Sequence, residues 1–268
     1  MTPTRRTPGT SQKVFRRPRR PRPFPLGLYQ SAVGKKWVMG ITGIMLMGFV
    51  LVHMIGNLHV YQSPTEINEY GEALRDLGGH LVPRTVVLWV MRVGLIAAFG
   101  LHIHAAYGLT RINRKARPEG YAGSRDYVAA NFASRTMRWT GVIVLLYLLF
   151  HLADLTWGWL LGDEFIRGDV YHNLVASLSR IPVALIYIAA NIALAVHLYH
   201  GAWSLFQSLG LNNPKFNAAR RTFASGFAAL ILVGNLSFPL LTMAGLISED
   251  NRTTPLADEI HSAQTAKE

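Results

Sequence analysis

Five stretches of this 268-residue sequence are long and apolar enough to cross a lipid bilayer. Because a helix rises 1.5 Å per residue, about 20 apolar residues span the hydrocarbon core. The stretches are residues 37–61, 86–110, 138–161, 181–205 and 223–247. The sequence therefore predicts an all-α, polytopic membrane protein whose five helices form one bundle over residues 28–247. A basic, proline-rich disordered tail is predicted at 1–27 and a polar tail at 248–268.

The composition excludes several classes of protein. Half of the residues are hydrophobic and 16% are charged, which leaves little sequence for a soluble domain. The chain has no cysteine, so alone it forms no disulfide and supplies no thiolate to an iron–sulfur cluster. No phosphate-binding glycine loop and no nucleophile paired with a base is found. We therefore expect no catalytic residue in the isolated chain.

Basic residues are concentrated on one side of the predicted bundle. Ten of them precede Trp37, and others lie in the loops after the second and fourth stretches, whereas acidic residues follow the first, third and fifth. The positive-inside rule then predicts a cytoplasmic N-terminus and an outside C-terminus. This is the pattern of a multi-pass protein of the inner (plasma) membrane. The basic tail is interpreted as a topology signal and a contact for anionic lipid, not as a nucleic-acid site.

Four histidines lie inside four different apolar stretches, and they form two pairs at two depths. With the predicted topology, His104 and His200 lie roughly 10 Å from the inner edge, and His53 and His151 lie ~20–24 Å from it. A low-spin haem takes two imidazoles on opposite faces of its iron, from facing helices. The sequence therefore predicts two stacked b-type haems, the inner one held by His104 and His200 and the outer one by His53 and His151.

Two other interpretations of these histidines stay open from the sequence alone. An intramembrane histidine is often only a hydrogen-bonding group between helices, and glycines near it often serve only close packing. In an alternative assignment the ligands of the inner haem are His102 and His197, which neighbour His104 and His200. His197 shares a face with His200, whereas His102 points away from His104. On these grounds we favour His104 and His200.

A few other polar residues lie at the predicted outer end. Arg92 is a candidate partner for a propionate of the outer haem, or a residue that snorkels to the interface. Asp154 lies one turn beyond His151 at a depth comparable with that of Arg92, so an Arg92–Asp154 ion pair is an alternative to a role in proton or quinone handling. Candidates for a quinone headgroup or a proton exit are His59, Glu66, Glu69 and Asp154.

Several segments resemble the single-chain cytochrome b membrane anchors of succinate dehydrogenase and fumarate reductase. They are GIMLMGFVLVHMIGNLHVY at 43–61, INEYGEAL at 67–74, IHAAYGLTR at 103–111 and HLYHGAWSLFQSLG at 197–210. The resemblance covers about 28–247 and implies five helices with two haems, bound by one histidine from each of the first four. It also implies a flavoprotein and an iron–sulfur subunit on the cytoplasmic face, with menaquinone or ubiquinone as the electron acceptor.

Other functions compete with this one. The chain could be a haem-free anchor, or one with a Rieske-type [2Fe–2S] cluster whose cysteines come from another subunit. It could also anchor another respiratory dehydrogenase, such as a hydrogenase or a formate dehydrogenase. A transporter would need inverted repeats and broken helices at mid-membrane depth, and the sequence shows neither.

Overall fold

The computed structural model describes residues 23–116, 130–211 and 213–251, and it is helical with no strand in those ranges. Residues 1–22 and 252–268 of the two predicted tails lie outside the described residues. The helices are α1 (Leu26–Gln30), α2 (Ala32–Asn57), α3 (Pro64–Ala73), α4 (Val86–Ala116), α5 (Ala130–His151), α6 (Val170–Leu178), α7 (Ile181–Ser208) and α8 (Asn217–Met243).

Five helical spans are long and apolar enough to cross a membrane, which confirms the predicted all-α polytopic bundle. They run over Ala32–Tyr61, Val86–Ala116, Thr136–Thr156, Ile181–Ser208 and Pro214–Met243. Few of their residues are buried inside the chain, and many large apolar side chains face outward. That pattern suits contact with lipid, since lipid satisfies apolar side chains and the helices satisfy their own backbone.

The bounds of the spans differ from the sequence prediction at several ends. The first begins at Ala32 because Ser31 caps α2, accepting a hydrogen bond from the Gly34 amide at 2.9 Å. The second extends to Ala116, past the predicted end at 110. The third changes after His151 into a π-helical turn, Leu152–Thr156, and stops short of 161. Such a turn widens the helix by one residue and re-aims the side chains within it.

The first four spans pack as two pairs. Within the described residues, α4 packs extensively only on α2, and α5 packs on α7 and on its own π-turn. The two pairs meet mainly where α2 contacts α7, and α8 covers both of these helices. Gly234 of α8 makes room for the side chain of Met54. Among the described residues, α4 does not pack extensively on α5 or α7.

Two short helices close one end of the bundle, which we call the far end; α2 begins at the opposite, N-terminal end. Neither α3 nor α6 was predicted from the sequence. The side chain of Asn68 on α3 accepts from the Val170 amide at 2.8 Å and donates to Asp169 at 3.1 Å, which joins α3 to the start of α6. Beneath them lies the main core cluster, which includes Ile67, Tyr171 and Tyr187.

Candidate functional site

The structure brings His53 and His151 together. Their ring centres are 6.0 Å apart and the rings are nearly perpendicular, at 86°. Each ring also contacts an aromatic residue four positions earlier on its own helix: Phe49 stacks on His53, and Tyr147 lies 5.8 Å from His151. Since α2 and α5 make no extensive contact within the described residues, the two imidazoles meet across a space between helices.

This spacing fits two axial ligands of one metal ion. An imidazole nitrogen binds a metal at ~2 Å and the ring centre lies ~1 Å further out, so two axial rings have centres roughly 6 Å apart. The geometry of His53 and His151 therefore suits the predicted outer haem. Within the described residues, no group of three or more His, Asp or Glu side chains could hold a metal ion, so the candidates are pairs.

A buried polar network supports His151 from behind. The hydroxyl of Tyr187 lies 3.3 Å from His151 Nδ1 and donates to Asp154 Oδ2 at 3.0 Å. Asp154 is 0% exposed and also accepts from Ser177 and from Arg180, the latter at 2.8 Å. The π-turn after His151 carries Asp154 and turns it toward α6 and α7. A fully buried carboxylate needs such partners, because an unpaired charge there is costly.

The alternative ion pair between Arg92 and Asp154 is wrong. Asp154 pairs instead with Arg180, which lies just before α7. Arg92 is exposed and its guanidinium lies 5.1 Å from the Trp89 ring centre. Depth along the membrane normal matched Arg92 with Asp154, but depth does not give lateral position. The role of Arg92 toward a haem propionate stays a prediction.

At the other predicted depth, His102 and His197 occupy equivalent positions in the two helix pairs. His102 Nδ1 lies 3.2 Å from the hydroxyl of Thr42, and His197 Nδ1 lies 3.3 Å from that of Thr140. Each ring also faces the glycine that comes directly after its threonine, Gly43 or Gly141.

Each imidazole therefore lies between the two helices of its own pair.

His104 and His200 have different surroundings. His104 is exposed and bonds to the hydroxyl of Tyr29. His200 is 8% exposed, and its Nε2 lies 3.5 Å from the Thr136 hydroxyl. Its Nδ1 is buried and has no hydrogen-bond partner among the described residues.

A basic groove lies beside His104 at the N-terminal end. It has a volume of about 450 Å³, and its lining includes Lys35, Arg111 and Lys115. Lys35 is 9% exposed, its stem packs on Gly108, and its ammonium lies 4.2 Å from the centre of the Tyr29 ring. The groove is thus suited to an anionic group.

The predicted quinone residues lie in two separate places. His59 bonds through Nδ1 to the Gly56 carbonyl at 2.8 Å and stacks on Tyr70 of α3. Glu66 and Glu69 are exposed on α3. Asp154, in contrast, lies in the buried network behind His151. Their roles toward a quinone stay predictions.

The threonines and the partners of Asp154 were not predicted from the sequence, although one signal was present. A Thr-Gly dipeptide occurs at Thr42–Gly43 and again at Thr140–Gly141, in each case with the threonine eleven positions before His53 or His151. That repeat indicates that α2 and α5 hold equivalent positions in the two helix pairs. Nothing comparable in the sequence indicates Ser177, Arg180 or Tyr187.

Comparison with known proteins supports one family. Residues 111–236 match the family model of the succinate dehydrogenase/fumarate reductase transmembrane subunit. The matched segment contains α5, α6, α7 and most of α8. No curated protein and no solved structure matches the chain. Over these residues, just under half of the chain, the sequence is similar to that family, and the five apolar spans are those of a multi-pass membrane protein.

Proposed function

We propose that this chain is the membrane anchor and electron-transfer subunit of a succinate:quinone oxidoreductase, and that it holds two b-type haems. The observation that carries the proposal is the approach of His53 and His151, at 6.0 Å between ring centres from two different helix pairs. A bound haem supplies a one-electron carrier inside the membrane. The residues of this chain would hold the carrier, orient it and keep it within the apolar bundle.

For the inner haem we propose His102 and His197 as ligands, in preference to the initially favoured His104 and His200. The matched contacts of His102 and His197 with a threonine and a glycine support this choice. A ligand imidazole usually bonds through its second nitrogen to a neighbouring acceptor, which fixes its orientation. A threonine hydroxyl supplies that acceptor in both helix pairs.

The basic groove and the charge distribution support the proposed partners. Lys35, Arg111 and Lys115 can bind carboxylates, which a b-type haem carries. With a cytoplasmic N-terminus, the same end would face the iron–sulfur and flavoprotein subunits. Electrons from succinate would then pass to the inner haem, the outer haem and a menaquinone or ubiquinone, in the inner (plasma) membrane.

Haem content per polypeptide tests the proposal. The complex is purified with its partner subunits, and its haem is quantified together with a dithionite-reduced spectrum. We expect two haems and a b-type α-band. A complex without haem contradicts the proposal, and iron with acid-labile sulfide on this chain would favour the Rieske-type alternative. Co-purified nickel or molybdenum subunits would favour another dehydrogenase.

Four alanine variants test the inner ligands. We expect His102→Ala and His197→Ala each to remove one haem, because the iron loses an axial ligand. His104→Ala and His200→Ala are the matched controls on the same two helices and should keep both haems. Loss of a haem in these controls, with retention in the first two variants, would reverse the assignment.

A further inference from the structure

Tyr187 occupies a bridging position between a proposed axial ligand and a buried carboxylate. Its hydroxyl is 3.3 Å from His151 Nδ1 and 3.0 Å from Asp154 Oδ2. The side chain is 5% exposed and its ring packs against those of Tyr147 and Phe150. The hydroxyl is therefore held in place on both sides.

Asp154 determines the direction of these hydrogen bonds. Its Oδ1 accepts from Arg180 at 2.8 Å, and Ser177 donates to its Oδ2. Among these donors the carboxylate acts only as an acceptor, so the Tyr187 O–H points at it. The lone pairs of the same hydroxyl oxygen then face His151, and a neutral imidazole meets them best with the proton on Nδ1. Nε2 is left as the nitrogen free to bind a metal.

We propose that Tyr187, held by Asp154, is a positioning residue that fixes the orientation and tautomer of His151 so that Nε2 faces the iron of the outer haem. This inference rests on the proposed function, because it concerns the same site. An acceptor behind a ligating imidazole raises the basicity of the ligand and stabilises the oxidised metal. Tyr187 and Asp154 thereby lower the potential of the outer haem.

His53 has no comparable support. Apart from the His151 ring, its described side-chain neighbours are Phe49, stacked on the ring, and Asn57, whose amide nitrogen is 3.4 Å from Nε2, at the long limit of a hydrogen bond. The two proposed ligands of the outer haem thus differ in their hydrogen-bond support, and α7 has the larger influence on the midpoint potential of that haem.

The test is Tyr187→Phe in the complete, haem-loaded complex. This change removes the acceptor and keeps the ring. We expect the complex to keep two haems, the midpoint potential of one haem to rise, and the low-spin EPR signal of that haem to shift. Tyr147→Phe is the matched control, because its ring also contacts His151 while its hydroxyl faces Asn191. It should cause a much smaller shift.

Asp154→Asn is the second variant, because it keeps Tyr187 and the shape of the network while removing the charge. It should also raise the midpoint potential of the outer haem. This second variant still tests the inference if Tyr187→Phe loses the outer haem. Two haems whose potentials do not respond to either variant would overturn the inference alone. A complex without haem would overturn the proposed function as well, so the two failures can be told apart.

Discussion

The two helix pairs, α2 with α4 and α5 with α7, repeat one arrangement. Each pair carries a Thr-Gly dipeptide on its first helix, a histidine ring from the second helix over that dipeptide, and a histidine eleven positions further along the first. An aromatic ring lies four positions before that last histidine in both cases. The repeat places imidazoles at two matched levels along the helices.

The pairs differ in the segment that comes after the far-end histidine. After His53, α2 ends at Asn57 and continues as a short 3-10 turn. After His151, α5 widens into the π-turn that buries Asp154 against Ser177 and Arg180. Both pairs therefore position their histidine rings in the same way, whereas only the pair of α5 and α7 carries the buried charge of Asp154. The geometry and the electrostatics of the site are thus set by separate parts of the chain.

The largest expected effect comes from filling the space under the two interior rings. In Gly43→Leu and Gly141→Leu the added Cβ lies 3.6 Å and 3.4 Å from the Cε1 of His102 and His197, so the rest of the side chain displaces the ring. Each variant should lose the inner haem, about half of the total haem. Gly226→Leu on α8 meets open space and should keep both haems. Retention of both haems in Gly43→Leu alone would break the equivalence of the pairs.

An intermediate effect is expected from the buried charge. Arg180→Ala leaves Asp154 without its cation and should lower the free energy of unfolding by about 3 kcal/mol, the low end for a buried pair because Arg180 is partly exposed. Arg92→Ala, at the same end of the other pair, should cost about 0.5–1 kcal/mol. Thermal unfolding of the purified complex measures both. Equal losses of stability would argue against the difference between the pairs.

The smallest effect is expected from the threonine hydroxyls. Thr42→Val and Thr140→Val keep the shape of the side chain and remove its contact with His102 or His197. Each should cost about 0.5–1.5 kcal/mol. Both should shift the midpoint potential of the inner haem in the same direction. Potentiometric titration in the membrane checks this, and shifts of opposite sign would show that the two threonines act differently.

The sequence predicted the five spans, because they depend only on hydropathy and on the rise per residue. The depth of the histidines in the membrane stays a prediction. The sequence did not predict the matched contacts of His102 and His197 with a threonine and a glycine. His102 and His104 are two residues apart and so point to opposite sides of α4. The rotation of a helix that is apolar all round cannot be read from its own residues.

The surroundings of Asp154 also escaped prediction, for a different reason. The partner Arg180 lies 26 positions later in a polar turn, and its approach depends on the π-turn after His151. Local sequence does not specify that turn, since its extra residue is stabilised by contacts with α6 and α7. The short helices α3 and α6 follow the N-caps Ser63 and Asp169 but lie outside the long apolar stretches, so hydropathy does not indicate them.

The limited contact between the helix pairs has a consequence for biogenesis. Each proposed haem takes one imidazole from each of the two pairs, so neither pair can bind a haem alone. A ligand that binds only the assembled state stabilises that state by mass action. Cofactor insertion would therefore act as a cross-link that completes assembly, and a chain made under iron starvation should be degraded faster than the loaded one.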